Sequence, residues 1–267
     1  MRYSNYYTSS GLFHVSLPLL MGTRMDVLLF GGDKQQLATL WEDVEKDLWR
    51  MEKMLNRFDT ESEVSMVNDN AQFSAVQLSN ELWNIMLECR RYYEWTDGYF
   101  DITKSDFGKI IFMNDSQSIL FDKYGMMLDF GGYAKGYALK WMHKRFKDVG
   151  IKRALVNFGN SSVLAMGAHP YGDCWPIAIE DPLDGTLLKT INLCDVSMSV
   201  SGNTLIRQQH IMNPKTSEYV TGDRMVAVIA GDPVVAEAMT TAWLATGEEN
   251  LPDWKEMFNF NNTYSIK

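Results

Sequence analysis

The chain has 267 residues, of which 46% are hydrophobic and 22% are charged, so it can bury one large core or two small ones. Its formal net charge is −9 at pH 7. We expect no nucleic-acid partner, because phosphate backbones are bound by clustered Lys and Arg. No run of about 18 apolar residues occurs, so we expect no transmembrane segment. Residues 1–23 show no signal-peptide pattern, and the compartment stays open.

The three cysteines, Cys89, Cys174 and Cys194, are far apart in the sequence. They form no Cys-x-x-Cys pair, and no His stands near them in the spacing of a zinc site. We therefore expect neither a disulfide framework nor a structural zinc ion.

The first half of the chain predicts one strand followed by two helices. Residues Met25 to Phe30 alternate apolar side chains, as a strand does. From Leu37 to Phe58 apolar residues recur every three or four positions, which predicts one face of a long amphipathic helix that Asn56 to Asp59 closes. A second helix is predicted from Asn80 to Trp95. Its predicted inward side chains are Leu82, Ile85, Met86 and Cys89.

The second half predicts a hairpin, two helices and many short strands. The hairpin runs from Ser118 to Phe130 and turns at Lys123 to Gly125, and a helix follows from Tyr133 to Asp148. A last helix begins at Pro233 and ends near Gly247. Between these helices the predicted strands are Arg153–Phe158, Val163–Met166, Trp175–Glu180, Leu187–Asn192, Gln209–Met212 and Met225–Ala230. This order predicts an α+β fold with antiparallel sheets, in one domain over residues 1–267 that could have two lobes.

The run from Asp129 to Ala138 is the most informative stretch for chemistry. A strand delivers Asp129, Gly131 and Gly132 let backbone amides approach a ligand, and a helix begins with Lys135 in its first turn. Such a helix start favours phosphate through its unpaired N–H groups and its dipole. An ordinary strand-to-helix turn with an exposed lysine would show the same residues.

Two further segments carry candidate groups. Glu237 and Thr241 are four residues apart on the last helix, so they share a face and offer hard oxygen donors suited to Mg²⁺. The alternative is a packed helix on which Glu237 is merely solvated. His210 precedes a proline turn and could accept a hydroxyl proton, or it could cap that turn by hydrogen bonding. The Ser199 to Gly202 turn could present hydroxyls and amides to a ligand, although such turns are more often structural.

Read in order, these motifs resemble the ApbE family of FAD:protein FMN transferases over nearly the whole chain. The Asp129 to Ala138 run is similar to the family signature Asp-Leu-Gly-Gly-x-Ala-Lys-Gly-Tyr-Ala. The other matching segments, in family order, are Met21–Thr23, Phe58–Asp59, Ser62–Asn68, Gly98–Thr103, Val156–Asn160, Glu180–Pro182, Ser199–Gly202, His210–Thr216 and Glu237–Thr241. The resemblance implies an ApbE-like, T-fold-like architecture.

The resemblance also implies roles for individual residues. The Gly132 carbonyl, Glu237 and Thr241 would hold Mg²⁺, and Lys135 and His210 would act in catalysis. The implied FAD contacts are Asp129, Gly131, Gly132, Lys135, Ser199, Ser201, Gly202 and Thr241. Three departures bear on activity: Glu237 replaces the family's Asp, and Asn160 and Asn213 each stand where the family has an Asp.

The implied reaction is Mg²⁺-dependent transfer of FMN from FAD to a Ser or Thr hydroxyl of an acceptor protein, with release of AMP. Three alternatives stay open at this point, the simplest of which is a globular protein with no nucleotide site. Water could replace the acceptor, which would make the protein an FAD pyrophosphatase, or turnover could be lost, which would leave an FAD-binding protein. The family's acceptors carry an Asp-Gly-x-Ser/Thr-Gly-Ala-Thr type of motif, and this chain has only Asp184-Gly185-Thr186, so we expect a separate acceptor. Family members are commonly cell-envelope lipoproteins, but no lipid-attachment cysteine occurs near residue 1.

Overall fold

The computed structural model describes residues 3–203, 211–248, 253–254, 258 and 260–266 of the chain. The helices in these ranges are α1 (Lys34–Leu55), α2 (Glu63–Asn70), α3 (Asn80–Trp95), α4 (Ala134–Asp148) and α5 (Pro233–Thr246), with a 3₁₀ turn at Phe107–Lys109. The strands are β1 (Tyr3–Tyr7), β2 (Leu12–Leu20), β3 (Thr23–Phe30), β4 (Val76–Gln77), β5 (Ile110–Met113), β6 (Ser118–Phe121), β7 (Arg153–Phe158), β8 (Ser162–Met166), β9 (Trp175–Glu180), β10 (Leu187–Leu193), β11 (Val196–Asn203), β12 (Met212–Asn213), β13 (Glu218–Tyr219), β14 (Arg224–Ala230) and β15 (Phe260–Ile266).

An eight-stranded antiparallel sheet in the order β1-β2-β3-β7-β8-β11-β14-β15 organises the fold. The smaller sheets are the ribbons β9/β10 and β12/β13 and the three-stranded sheet β4-β6-β5. The predicted α+β architecture of helices and antiparallel sheets is therefore confirmed. The prediction of a single domain over residues 1–267 stays a prediction.

Buried side chains form three clusters around the large sheet. One joins α2, α3 and α5 with the chain between Phe100 and Tyr133. A second packs α1 and α4 against β2, β3, β7 and β8. The third lies between the β9/β10 ribbon and strands β8, β11 and β14. Strands β8 and β11 thus have helices on one face of the sheet and the β9/β10 ribbon on the other.

Local sequence signals set the helix boundaries. Asp33 and Gln36 form a capping box at the start of α1, in which two otherwise unpaired backbone donors are satisfied reciprocally. Ser79 caps α3, and its own N–H donates to the Glu63 carboxylate at 2.6 Å. At α5, Asp232 caps the first turn, and Gly247 ends the helix with φ of 71°, a conformation that glycine adopts without a steric penalty. The predicted helices are confirmed at these positions.

Four local predictions are wrong. Residues 122–130 form no strand, and β6 pairs instead with β4 and β5. Phe58 follows the end of α1, and its side chain is 79% exposed rather than part of the apolar face. The predicted Ser199 to Gly202 turn is the second half of β11, which pairs with β14 throughout and with β8 at Ser199. Cys174 and Cys194 form a disulfide, because the β9/β10 register places their Cα atoms 4.9 Å apart.

Within the described part of the chain, no helix is both long enough and apolar enough to cross a membrane.

Candidate functional site

A cavity of about 1100 Å³ opens where the start of α4, the middle of α5 and the ends of several strands meet. Its walls include the loop before α4, the β7–β8 turn, β9 with the turn that follows it, and the second half of β11. The candidate residues that line it are Asp129, Gly131, Gly132, Lys135, Ser201, Gly202, Glu237 and Thr241. The two most specific sequence signals, at the start of α4 and on α5, therefore face the same space.

Glu237 is the central acidic group of this site. Only 4% of the residue is exposed. Its Oε1 contacts the Lys135 ammonium. Its Oε2 accepts hydrogen bonds from the hydroxyls of Ser162 and Ser199, the latter at 2.9 Å. Buried carboxylates need such partners because they have lost their hydration, so the alternative of a merely solvated Glu237 is wrong.

Close packing of α4 on α5 brings these groups together. A methyl group added at Gly132 would come within 2.8 Å of Thr241 Oγ1, and one added at Gly136 would come within 2.8 Å of Glu237 Cβ and of the Pro233 carbonyl oxygen. Both distances are shorter than real Cβ contacts. The two glycines are therefore required for the approach that places the Gly132 backbone against Thr241.

The Thr241 hydroxyl is available as an oxygen donor to a cation. It donates its hydrogen to the Glu237 carbonyl at 3.1 Å, which leaves the lone pairs of the hydroxyl oxygen for another partner. Among the residues that the structure describes, no group of three or more His, Cys, Asp and Glu could hold a metal ion. A cation here would have one carboxylate and neutral oxygens, the sparse donor set that Mg²⁺ accepts when substrate phosphates and water complete its shell.

Asp129 also lines the cavity, next to the Gly131–Gly132 turn. Its Oδ1 accepts the Gly131 N–H at 3.0 Å. Its Oδ2 lies 3.1 Å from both Arg57 Nε and Lys104 Nζ. Lys104 has φ of 74°, a left-handed conformation that costs a non-glycine residue roughly 1–3 kcal/mol and is concentrated at functional sites. Two cations thus surround one carboxylate beside the glycine turn.

Asp101 lies beside Lys104 on the cavity wall. Burial raises the pKa of its carboxyl above the ordinary value, and the hydrogen bonds that it accepts from Thr103 and Phe107 only partly offset this effect. The Thr103 N–H and hydroxyl both donate to Asp101 Oδ1 at 2.6 Å. Tyr99 and Asp101 of the Gly98 to Thr103 motif therefore line the cavity.

Two asparagines close the β7–β8 turn. Asn157 donates through its Nδ2 to Asn160 Oδ1 at 3.0 Å, and the Asn160 N–H donates to Asn157 Oδ1 at 3.1 Å. Both residues line the cavity. Asn160 has φ of 54°, which asparagine tolerates better than most residues. The amide at position 160 gives the cavity a neutral group at this turn.

A model of the ApbE family matches residues 21–118 and 104–261. The chain belongs to the ApbE family.

Curated relatives agree with this assignment. The chain is 31% identical over 135 residues to the FAD:protein FMN transferase of Rhodobacter capsulatus, a match that covers 48% of this chain and only a quarter (25%) of that protein. It is 22% identical over 275 residues to the FAD:protein FMN transferase of Escherichia coli K12, with coverage of 87% of this chain and 78% of the relative.

Solved structures share the ApbE fold. The apo form of the Pseudomonas stutzeri flavinyl transferase ApbE is 22% identical, covers 96% of this chain with 91% of its own length, and has a TM-score of 0.80. The ApbE protein of Thermotoga maritima is 21% identical, covers 92% of this chain with 89% of its own length, and has a TM-score of 0.79. At these identities the likeness is evidence for the fold alone.

Most of the ApbE residues named from the sequence come together, with two exceptions. Ser199 does not line the cavity, and its hydroxyl instead donates to the Glu237 carboxylate. His210 lies outside the described residues. The sequence reasoning missed Arg57 and Lys104, although the positive charge of Lys104 directly after the Gly98 to Thr103 motif was a usable signal.

Proposed function

We propose that this protein transfers the FMN half of FAD to a Ser or Thr hydroxyl of an acceptor protein, releases AMP, and requires Mg²⁺. One observation carries the proposal: Gly132, Lys135, Glu237 and Thr241 converge on a single cavity of about 1100 Å³. Drug-sized ligands occupy pockets of roughly 300–1000 Å³, so this space suits a dinucleotide. The relatives named FAD:protein FMN transferase supply the substrate and the reaction class.

The excess of carboxylates in the cavity supports the proposal that a divalent cation is required for diphosphate binding. Its described lining residues include two lysines, Lys104 and Lys135, and five carboxylates, Asp101, Asp129, Glu180, Asp181 and Glu237. Both lysines already contact carboxylates of the site. A diphosphate would therefore meet net negative charge, and a divalent cation would offset that repulsion.

The residues present fit Mg²⁺. The Glu237 carboxylate, the Thr241 hydroxyl and the Gly132 carbonyl would hold it, since α4 and α5 bring all three residues to one place. When bound, Mg²⁺ supplies neutralisation of the charge that develops on the diphosphate oxygens. Helix α4 begins at Ala134 beside Gly131 and Gly132, so its first-turn amides and dipole favour phosphate on the same side.

The transfer itself is a displacement at phosphorus. The acceptor hydroxyl oxygen bonds to the FMN-side phosphorus while the bond from that phosphorus to the bridging oxygen breaks, and AMP leaves with that oxygen. The hydroxyl proton passes to a base, a role that we give to His210 on the family resemblance. Lys135 contributes positive charge beside the departing phosphate. Positioning and charge neutralisation carry most of the catalysis in such reactions.

The test combines the purified protein with FAD, Mg²⁺ and an acceptor domain that carries the family's flavinylation motif. Mass spectrometry of the acceptor should show one added FMN, and chromatography should show an equal amount of AMP. Glu237→Gln should lower kcat/KM for transfer by at least about 100-fold, because loss of even outer-shell partners of a metal site costs 10–100-fold. Glu61→Gln is the matched control, since the Glu61 side chain is 79% exposed, pairs with Lys53 at 3.4 Å and does not line the cavity.

Each alternative function has its own outcome in this assay. AMP release without any acceptor would make the protein an FAD pyrophosphatase. Tight FAD binding with no AMP under any condition would make it a flavin-binding protein without turnover. Either result, together with an acceptor that gains no FMN, would contradict the proposed transfer.

A further inference from the structure

Lys135 and Glu237 form a buried ion pair inside the proposed site. The Lys135 side chain is 18% exposed and that of Glu237 is 5% exposed. The pair links α4 to α5, and both residues line the cavity. The same carboxylate is the acidic group proposed above for Mg²⁺, so Mg²⁺ and the Lys135 ammonium would compete for it.

The two oxygens of the Glu237 carboxylate have different kinds of partner. Oε2 is held by the hydroxyls of Ser162 and Ser199, which stand directly opposite each other on the paired strands β8 and β11. Thr240 in turn contacts the Ser199 hydroxyl at 3.3 Å. These are short side chains fixed by the sheet and by α5, so the position of Oε2 is set by the fold.

Oε1 is different, because its partner is the end of a long flexible side chain. The ammonium of Lys135 contacts Oε1, and four rotatable bonds separate that ammonium from the backbone of α4. Burying a carboxylate is costly unless a counter-charge pairs with it. Of the two oxygens, Oε1 is therefore the one whose cation can be exchanged.

We propose that Lys135 is a resident counter-cation that a divalent ion displaces from Glu237, and that its released ammonium then binds the diphosphate of the nucleotide. This inference rests on the proposed function, which supplies the divalent ion and the nucleotide. The exchange keeps the buried carboxylate paired throughout. It also links the two ligands, because the metal frees the amine that the nucleotide needs, and such coupling is reciprocal.

The first test measures Mn²⁺ binding by electron paramagnetic resonance in the absence of FAD and acceptor. Lys135→Met removes the competing ammonium and should tighten Mn²⁺ binding about tenfold relative to the wild type. Lys140→Met is the matched control on the same helix. Lys140 pairs with Glu88 and Asp232 rather than Glu237, so its removal should leave Mn²⁺ affinity unchanged. Equal or weaker binding by Lys135→Met, or no Mn²⁺ binding by either protein, would overturn the inference.

A second measurement uses the wild type and does not depend on the folding of a variant. Lysines are labelled with an amine-reactive ester with and without Mg²⁺, and labelling is quantified for each peptide by mass spectrometry. Mg²⁺ should increase labelling at Lys135 several-fold and leave Lys140 unchanged. Unaltered labelling at Lys135 would refute the exchange.

Both readouts are independent of flavin transfer. If the wild type transfers FMN but the wild type and Lys135→Met bind Mn²⁺ with equal affinity, the exchange alone is refuted. Tighter Mn²⁺ binding by Lys135→Met in a protein that never transfers FMN would refute the proposed function alone.

Discussion

Replacement of Gly136 by Ala tests the helix contact on which the site depends. The added methyl would come within 2.8 Å of both Glu237 Cβ and the Pro233 carbonyl oxygen, and within 3.0 Å of Val234 Cα. Two of these three atoms belong to the backbone of α5, which cannot rotate away as a side chain could. The clash must therefore be relieved by moving α4 away from α5.

The expected cost follows from two opposing effects. Overpacking a well-packed core costs typically about 1–3 kcal/mol, whereas Ala in place of Gly inside a helix contributes up to about 1 kcal/mol in favour of the folded state. Because two of the three close atoms are backbone, the upper part of the overpacking range, about 2–3 kcal/mol, applies, and Gly136→Ala should lower the free energy of unfolding by about 1–2 kcal/mol. For chains of 150–250 residues each kcal/mol corresponds to roughly 2–4 °C in Tm, which gives a decrease of about 2–8 °C for this slightly longer chain.

The assay is thermal unfolding, with urea unfolding as the second measure of stability. The control is Gly231→Ala, because no heavy atom lies within 4 Å of a methyl group at that position and its φ is outside the left-handed region. That variant should stay within about 0.5 kcal/mol of the wild type. A Gly136→Ala protein as stable as the wild type would refute the claim that α4 and α5 are in tight contact.

Three further predictions concern other parts of the chain. Cys174→Ser removes the disulfide to Cys194, which closes a segment of 20 residues, and should lower the free energy of unfolding by about 3 kcal/mol by the chain-entropy relation. Urea unfolding should show this difference from the wild type under oxidising conditions only. An equal difference after reduction of both proteins would contradict the prediction. Burial, together with nearby Lys147, lowers the pKa of His143 in the folded protein. Below a pH of about 6.5 the unfolded chain therefore binds more protons at this residue than the folded protein does. The stability that is present above this pH is lost as the pH falls through the folded-state pKa. His143→Gln should flatten the dependence of the free energy of unfolding on pH between about pH 5 and 7, as measured by urea unfolding. Lys104→Met should weaken FAD binding several-fold in a flavin-fluorescence titration with little change in Tm, since the Lys104 side chain is 43% exposed and exposed ion pairs contribute little to stability.

Predictions from the sequence were most accurate where one local rule sufficed. The bounds of α3 follow from its Ser79 cap and its apolar spacing, and those of β7 and β9 follow from short apolar runs. The Ser201-Gly202 dipeptide predicts a turn, but pairing of Ser197 to Asn203 with β14, and of β11 with β8 as far as Ser199, overrides that local signal.

Features that depend on two distant segments could not be read from the sequence. The Cys174–Cys194 disulfide depends on the register of β9 against β10, which spacing alone does not give. Arg57 and Lys104 reach Asp129 from a helix end and a loop, and no periodic pattern links such positions. By contrast, the resemblance named Lys135 and Glu237 as members of one site, and the structure shows them in contact.

The most direct test of the account is a crystal structure with FAD and Mn²⁺, in which anomalous scattering locates the metal. The account predicts one Mn²⁺ peak at the Glu237 carboxylate and the Thr241 hydroxyl, with the FAD diphosphate beside it and the Lys135 ammonium turned from Glu237 to a phosphate oxygen. FAD bound away from these residues, or a metal peak distant from Glu237, would contradict it.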